Sequence, residues 1–364
     1  MAQNRVIWAV EAVGFAQLGS NTYTSAHGVQ SVGITTAFSL TPVFELGESK
    51  IYQLLEAIPD IQVTMEKVLD GYPLLYHLAT KGAASATLFG RSGVQSTVAL
   101  SIFPDTNDSA SGTPNAQVVM SGLYVSTSSF SFPADGSPFK ESITLVGNHK
   151  LWRSPSQATF SGGFTNTDRP LADTYGSGGV QTRRNLLFNF AGISATDANG
   201  ALVATPALPC TILPRDIAGI SSSGTNNLVG GTSNYQASIQ NMTVSINLGR
   251  EAINELGHNT PYYRFMNVPV EVTTEIEVIS KSGDWISATE EGVYGNGINT
   301  RAATIKIATT EGTFIDLGTE NKCSNCSMTG GDTGGGNQTM SYTFQTYNFY
   351  SVYHDQDPTS AIAQ

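Results

Sequence analysis

The clearest periodic signal in the chain is Glu271-Val272-Thr273-Thr274-Glu275-Ile276-Glu277-Val278. Val272, Thr274, Ile276 and Val278 fall on one side of an extended backbone, and Glu271, Thr273, Glu275 and Glu277 on the other. This is the period-two pattern of a strand with one buried and one solvated face. A weaker copy lies upstream, with Val63, Met65 and Leu69 on the apolar side and Gln62, Thr64, Glu66 and Asp70 on the polar side, interrupted by Lys67 and Val68. Other short runs predict strands at Ile7 to Val13 (ended by Gly14), Val29 to Leu40, Ala84 to Phe89, Val94 to Phe103, Val118 to Val125 and Glu141 to Trp152. A second set lies at Ile239 to Leu248, Arg301 to Thr309, Thr313 to Leu317 and Gln338 to Tyr353. Helical spacing is rare. Ile51, Leu54, Leu55 and Ile58 predict one short helix ended by Pro59, and Asn259-Thr260-Pro261 followed by Tyr262, Phe265 and Met266 predicts a poorer one. The expected class is mainly β.

The pattern is also written twice. Glu45-Leu46-Gly47, Tyr52 and Pro59 recur 210 residues later as Glu255-Leu256-Gly257, Tyr262 and Pro269. Over Val29 to Asp70 the same offset adds Gln30/Gln240, Thr64/Thr274 and Val68/Val278, eight identities in 42 positions. The Ile212 to Ile220 stretch stands opposite Ile7 to Gly14, and Ser142-Ile143-Thr144 opposite Ser341-Tyr342-Thr343. An internal repeat changes the expected architecture from one large domain to two tandem ones. The predicted organisation is a first repeat over 1–153, a linker or insertion over 154–205, a second repeat over 206–356 and a flexible tail over 357–364. Within the insertion, Asn185 to Ile193 and Ala201 to Thr205 flank Asn199-Gly200 and read as a hairpin.

Composition narrows the function classes. Charged residues make up 13% of the chain, and 37 Gly accompany abundant Ser and Thr, which suits many short strands joined by turns. The formal charge of −11 repels a phosphate backbone and argues against tight nucleic-acid binding. The apolar run Val6 to Val10 is too short for a signal-peptide core, and no run is long enough for a membrane helix, so the expected product is made in the cytoplasm and needs no membrane.

Candidate chemistry is sparse. Five scattered His residues show no helical zinc spacing, and Cys323-Ser324-Asn325-Cys326 lacks a second half-site, so both Cys read as small loop residues. No nucleophile elbow or phosphate loop is present, and the carboxylates recur along a strand rather than as an acid/base pair. No catalytic residue, cofactor or metal is implied.

A unit with a single outer helix, long loops and one acidic sheet face resembles the major tail tube proteins of tailed bacteriophages. The stretch Thr35 to Pro59 leading into Val63 to Glu66, its echo Ser245 to Pro269 leading into Val272 to Glu275, and the closing Ser-x-Thr strands carry that resemblance. It implies two tandem tail-tube-like β-sandwich or half-barrel domains, each with a short flanking helix. It further implies a structural virion protein whose units form six-membered rings, so that a two-unit chain closes a pseudo-hexameric ring as a homotrimer. Stacked rings would bind tape measure, terminator and baseplate proteins and let DNA pass transiently through an acidic lumen. The residues expected to line it are Gln62, Thr64, Glu66, Asp70, Glu271, Thr273, Glu275 and Glu277. Alternative readings are a baseplate or capsid decoration protein, or a carbohydrate-binding or adhesive β-protein.

Overall fold

The computed structural model describes residues 5–20, 22–105, 114–153, 179–188, 193–196, 202–204, 238–258, 260–279, 302, 305–309, 311–330, 333 and 336–354. The first half comprises strands β1 (Glu11–Gln17), β2 (Thr24–Ser25), β3 (Val29–Ala37), β4 (Leu40–Phe44), β5 (Ile51–Glu56) and β6 (Asp60–Val68), then helices α1 (Leu75–Ala79) and α2 (Leu88–Ser92). Strands β7 (Ser96–Ile102), β8 (Ala116–Pro133), β9 (Lys140–Gly147) and β10 (His149–Arg153) complete it. Three short strands follow, β11 (Leu186–Phe188), β12 (Ile193–Thr196) and β13 (Leu202–Ala204). The second half holds β14 (Ser238–Asn247), β15 (Glu251–Ile253), β16 (Tyr263–Phe265), β17 (Glu271–Ile279), β18 (Lys306–Thr309), β19 (Thr313–Asp316), β20 (Lys322–Thr329), β21 (Thr339–Tyr347) and β22 (Ser351–His354). The fold is mainly β, and its sheets are antiparallel.

The central feature is a run of strands in the order β3-β6-β9-β8-β14-β17-β21-β20. Its first four strands and its last four have the same order and the same antiparallel pairings. The match extends to irregularities: a bulge leaves Gln30 unpaired in β3 against β6, and another leaves Gln240 unpaired in β14 against β17. A bulge at Ser126 of β8 recurs at Ser324 of β20. Bulges alter twist and fix register, so their recurrence gives an alignment independent of residue identity. By that alignment Glu66 corresponds to Glu277, and Asp60 to Glu271. The identities Thr64/Thr274 and Val68/Val278 therefore fall out of register, because an extra residue follows Pro269.

One face of this sheet is apolar. Ile61, Val63 and Met65 of β6, Phe130 and Phe132 of β8, Met242 and Val244 of β14, Ile276 of β17 and Phe344 of β21 are all buried in a shared core. A second sheet packs over part of it, built from β1, β7, the first half of β8 and β10. Strand β8 leaves that outer sheet at Gly122, whose φ of +69° a side chain would strain, and enters the central sheet from Tyr124 onward. In the second half the outer sheet is β11-β18-β19-β22, with the strand interrupted between β19 and β20 where β8 is continuous.

Several expectations change. Residues 51–56 form a strand paired with β4, not a helix, and β15 and β16 form the matching hairpin with identical relative register. A lone helical stripe has no tertiary surface here, because every side chain of β5 is exposed, so strand pairing decides the conformation. The helices lie instead after β6, where Ala84 to Phe89 was expected to be a strand. Gly14 sits inside β1, and Leu186–Phe188, expected in the linker, pairs with β18 as β1 pairs with β7. Strands β12 and β13 pair antiparallel, but the first arm is Ile193–Thr196 rather than Asn185 to Ile193, and residues 199–200 lie outside the described residues. The expected strand at Ile212 to Ile220 lies outside the described residues.

Helix α1 lacks a side-chain cap from its own N-terminal residue, and Glu141 of β9 supplies one from across the core. Its carboxylate accepts the N–H groups of Leu75 and Tyr76 at 2.7 and 2.8 Å. Complete burial pushes Glu141 up to about 7, against the pull of those backbone donors and of Lys67. Buried Glu311 is raised to about 7 by the same desolvation. A carboxyl whose folded pKa exceeds its unfolded value binds more protons in the folded state, so stability falls as pH rises between the two values. Urea midpoints should therefore drop between about pH 4.5 and pH 7, and Glu141→Gln should flatten part of that slope, on the order of 1–3 kcal/mol. A slope unchanged in the variant would show that Glu141 does not titrate in this window.

Candidate functional site

The other face of the central sheet is polar along its whole width. Pairing registers place Ser31, Glu66, Ser142, Ser129, Ser245, Thr273, Gln345 and Lys322 in one continuous row across all eight strands. A neighbouring row runs through Lys140, Ser131, Thr243, Glu275, Thr343 and Asn325. These side chains are exposed or half-buried, while the residues between them are core. Such a surface offers hydroxyls and carboxylates, and its cations Lys140 and Lys322 are few. Lys140 is itself paired with Glu66 at 2.8 Å.

Seven of the eight residues expected on a common surface are brought onto this face: Gln62, Thr64, Glu66, Glu271, Thr273, Glu275 and Glu277. Asp70 is not. It lies beyond the end of β6, 5% exposed, with one carboxylate oxygen 2.5 Å from Lys67 Nζ and the other 2.5 Å from His27 Nδ1. Burial alone would raise its pKa, but the His27 hydrogen bond and the Lys67 charge hold it below the usual aspartate value. Lys67 is fully buried and also donates to the His27 carbonyl at 2.9 Å. The break in alternation at Lys67 is the sequence trace of this cluster: the strand turns inward there and takes Asp70 with it. Asp60 was missed, although it completes the period-two series backwards from Gln62. Its side chain is 65% exposed and meets Arg264 of the second half at 2.5 Å.

Cys323 and Cys326 are also placed differently from expectation, in strand β20 rather than a loop. Neither is in a disulfide, and burial pushes Cys323 up to about 11, far from a reactive thiolate. Among the described residues no group of three or more His, Cys, Asp or Glu side chains converges as a metal site would, and no helix is long and apolar enough to cross a membrane.

The two ends of the central sheet are the more informative geometry. Within the chain, β8 of the first half pairs with β14 of the second over Thr127 to Pro133. Around that junction Leu248 N–H donates to the Ser126 carbonyl at 2.8 Å, and Arg250 donates to the Val125 carbonyl at 2.7 Å with its guanidinium over the Tyr124 ring. Arg264 reaches Asp60 and Asn148, Tyr263 packs edge-on against Tyr124 with centroids 5.3 Å apart, and His77 of α1 bonds the Val352 carbonyl of β22 at 2.9 Å. Among the described residues β3 pairs only with β6, and β20 only with β21. The strand equivalent to β14 and the strand equivalent to β8 thus each lack a second partner strand among the described residues.

Exposure follows the same division. Leu248 is 1% exposed at the junction, and its counterpart Phe38 is 69% exposed. Phe130 is 0% exposed, and its counterpart Met328 is 46% exposed. Strand β22 is largely buried, while its counterpart β10 shows Leu151 and Trp152 to solvent.

The sequence matches no family model and no curated protein. Partial structural likeness exists to the tube-terminating cap of the anti-feeding prophage (11% identity, 42% of this chain and 94% of that chain, TM-score 0.32). A chain of the anti-feeding prophage baseplate aligns at 10% identity over 42% of this chain and 98% of its own, with a TM-score of 0.31. A chain of the sheath-tube complex of an extracellular contractile injection system, PVC, aligns at 12% identity over 42% and 94%, with a TM-score of 0.30. Likeness at this level decides no function, and the geometry of the sheet has to do so.

The two aspartates separate the polar face from the buried cluster experimentally. Asp70→Ala leaves Lys67 buried without its carboxylate and should cost about 3–5 kcal/mol. Asp60→Ala removes an exposed partner and should cost about 1 kcal/mol or less. Denaturant unfolding of the two variants measures both, and equal losses would contradict the assignment.

Proposed function

We propose that the chain is a structural subunit of a phage tail tube, two tube units fused in tandem, three chains of which close a pseudo-hexameric ring. The observation that carries this reading is the β8·β14 junction, whose two halves recur at opposite ends of the same sheet without a second partner strand among the described residues. An open edge exposes a row of backbone donors and acceptors and invites pairing with another chain. Here the second half already shows what pairs with an edge like β8, and the first half ends in a strand of the kind that does so. A head-to-tail contact between two different surfaces generates a ring when its rotation closes. Three chains follow from the six units per ring that the family resemblance implies.

In this reading the polar face lines the lumen. Gln62, Thr64, Glu66, Glu271, Thr273, Glu275 and Glu277 supply hydroxyls and carboxylates, with Asp60 added and Asp70 removed. Such a wall repels phosphate and leaves DNA free to slide. The apolar face and outer sheets form the tube body. Rings stack, and the tube ends receive the tape measure, terminator and baseplate proteins of a virion assembled in the host cytoplasm. The domain limits follow the repeat, with β11 added to the second unit.

The junction also specifies the register between chains. Transposing Ile246 opposite Ser128 onto the free edges sets Thr36 of one chain opposite Cys326 of the next. Directly opposed residues of antiparallel strands have Cα atoms about 4.5–5.5 Å apart, within disulfide range. Thr36→Cys should therefore link through native Cys326 on mild oxidation to a limiting covalent trimer on a non-reducing gel. Thr36→Cys with Cys326→Ser should not. Persistent monomer at high concentration, or a ladder that continues past three chains, would sink the trimeric ring. For the lumen, Glu66→Lys with Glu275→Lys should leave tube assembly intact while impairing DNA delivery, and undiminished infectivity would remove those positions from the wall.

A further inference from the structure

The hairpin β4–β5 leaves apolar side chains on both faces in water: Leu40, Phe44, Ile51, Tyr52, Leu54 and Leu55 are all exposed. An isolated two-stranded hairpin is at best marginal by itself, and this one needs a partner surface. Its counterpart β15–β16 has one. That hairpin folds back over the first half of the chain, where Arg264 meets Asp60 and Asn148 and Arg250 covers Tyr124. The registers of the two hairpins are the same, so Leu54 stands where Arg264 does and Leu40 where Arg250 does. On the receiving side, the strand pairings make Glu271, Tyr347 and Lys322 the counterparts of Asp60, Asn148 and Tyr124.

Resting on the ring reading, we infer that β4–β5 clasps the second half of the neighbouring chain, seating Leu54 and Leu40 on Tyr347 and the aliphatic stem of Lys322. The partner is a second copy of this chain. Tyr347 is 53% exposed in the single chain, and Glu271 lies directly opposite it. The junction inside the chain is held by cations, whereas the junction between chains is apolar with a carboxylate at its rim. Salt weakens the first kind of contact and spares the second. The two hairpins are thereby not interchangeable: an arginine hairpin suits Asp60 and Asn148, and a leucine hairpin suits Tyr347.

The charge at position 54 tests the placement. Leu54→Asp sets a carboxylate beside Glu271 of the neighbour and should raise the concentration needed for ring formation by on the order of tenfold or more. Leu54→Arg can reach Glu271 as Arg264 reaches Asp60, so assembly should persist but become sensitive to raising NaCl from about 0.05 to about 1 M, unlike the parent. Position 54 is exposed in the single chain, so thermal unfolding of both unassembled variants should match the parent. Sedimentation and negative-stain microscopy read the outcome. Rings formed normally by Leu54→Asp would overturn the clasp and leave the ring reading standing. Equal loss of assembly in both folded variants would overturn the placement beside Glu271. A parent chain that never forms rings would overturn both readings.

Discussion

Everything in this fold hangs on how the backbone of one strand edge is satisfied. A strand presents alternating N–H and C=O groups that cost several kcal/mol if buried without partners and invite aggregation if left in water. At β8 the chain solves this internally by laying β14 alongside, so that two four-stranded sets become one continuous sheet. The pairing fixes which side chains share a row, brings Arg264 to Asp60, and carries α1 against β22. It also leaves the same problem at β3 and β20, where no part of the described chain provides the same answer.

The two faces of that sheet obey different constraints. On the core face, buried charge is met by partners in the Lys67, Asp70 and His27 cluster and at the Glu141 carboxylate over α1. The opposite face is rich in Ser and Thr, with Glu spaced among them, so it stays hydrated.

How far the site could be read in advance depends on whether its signal was local. The face of β17 was legible because Glu271, Thr273, Glu275 and Glu277 alternate without a break against buried Val272, Ile276 and Val278. The face of β6 was legible up to Glu66 and failed at Asp70, because a buried lysine demands a carboxylate and that demand is tertiary. The hairpins were misread as helices because Ile51, Leu54, Leu55 and Ile58 satisfy a helical stripe by count, yet nothing is there for such a stripe to pack on. The signal that would have corrected this was Gly47 and Gly257, which take φ of +95° and +85° at the hairpin tips.

Sequence alone determined the class and the polarity of the β17 faces, since period-two alternation is a property of the string itself, and the 210-residue echo of Glu45-Leu46-Gly47 pointed to a repeat. Only tertiary structure decided which edges meet. The strand identity of Cys323 and Cys326 comes from pairing with β21, and the joining of the two four-stranded sets comes from β8 and β14, whose paired residues lie more than a hundred positions apart. Burial of Leu248 beside exposure of Phe38 carries no mark in either residue, because the difference lies in what stands next to each.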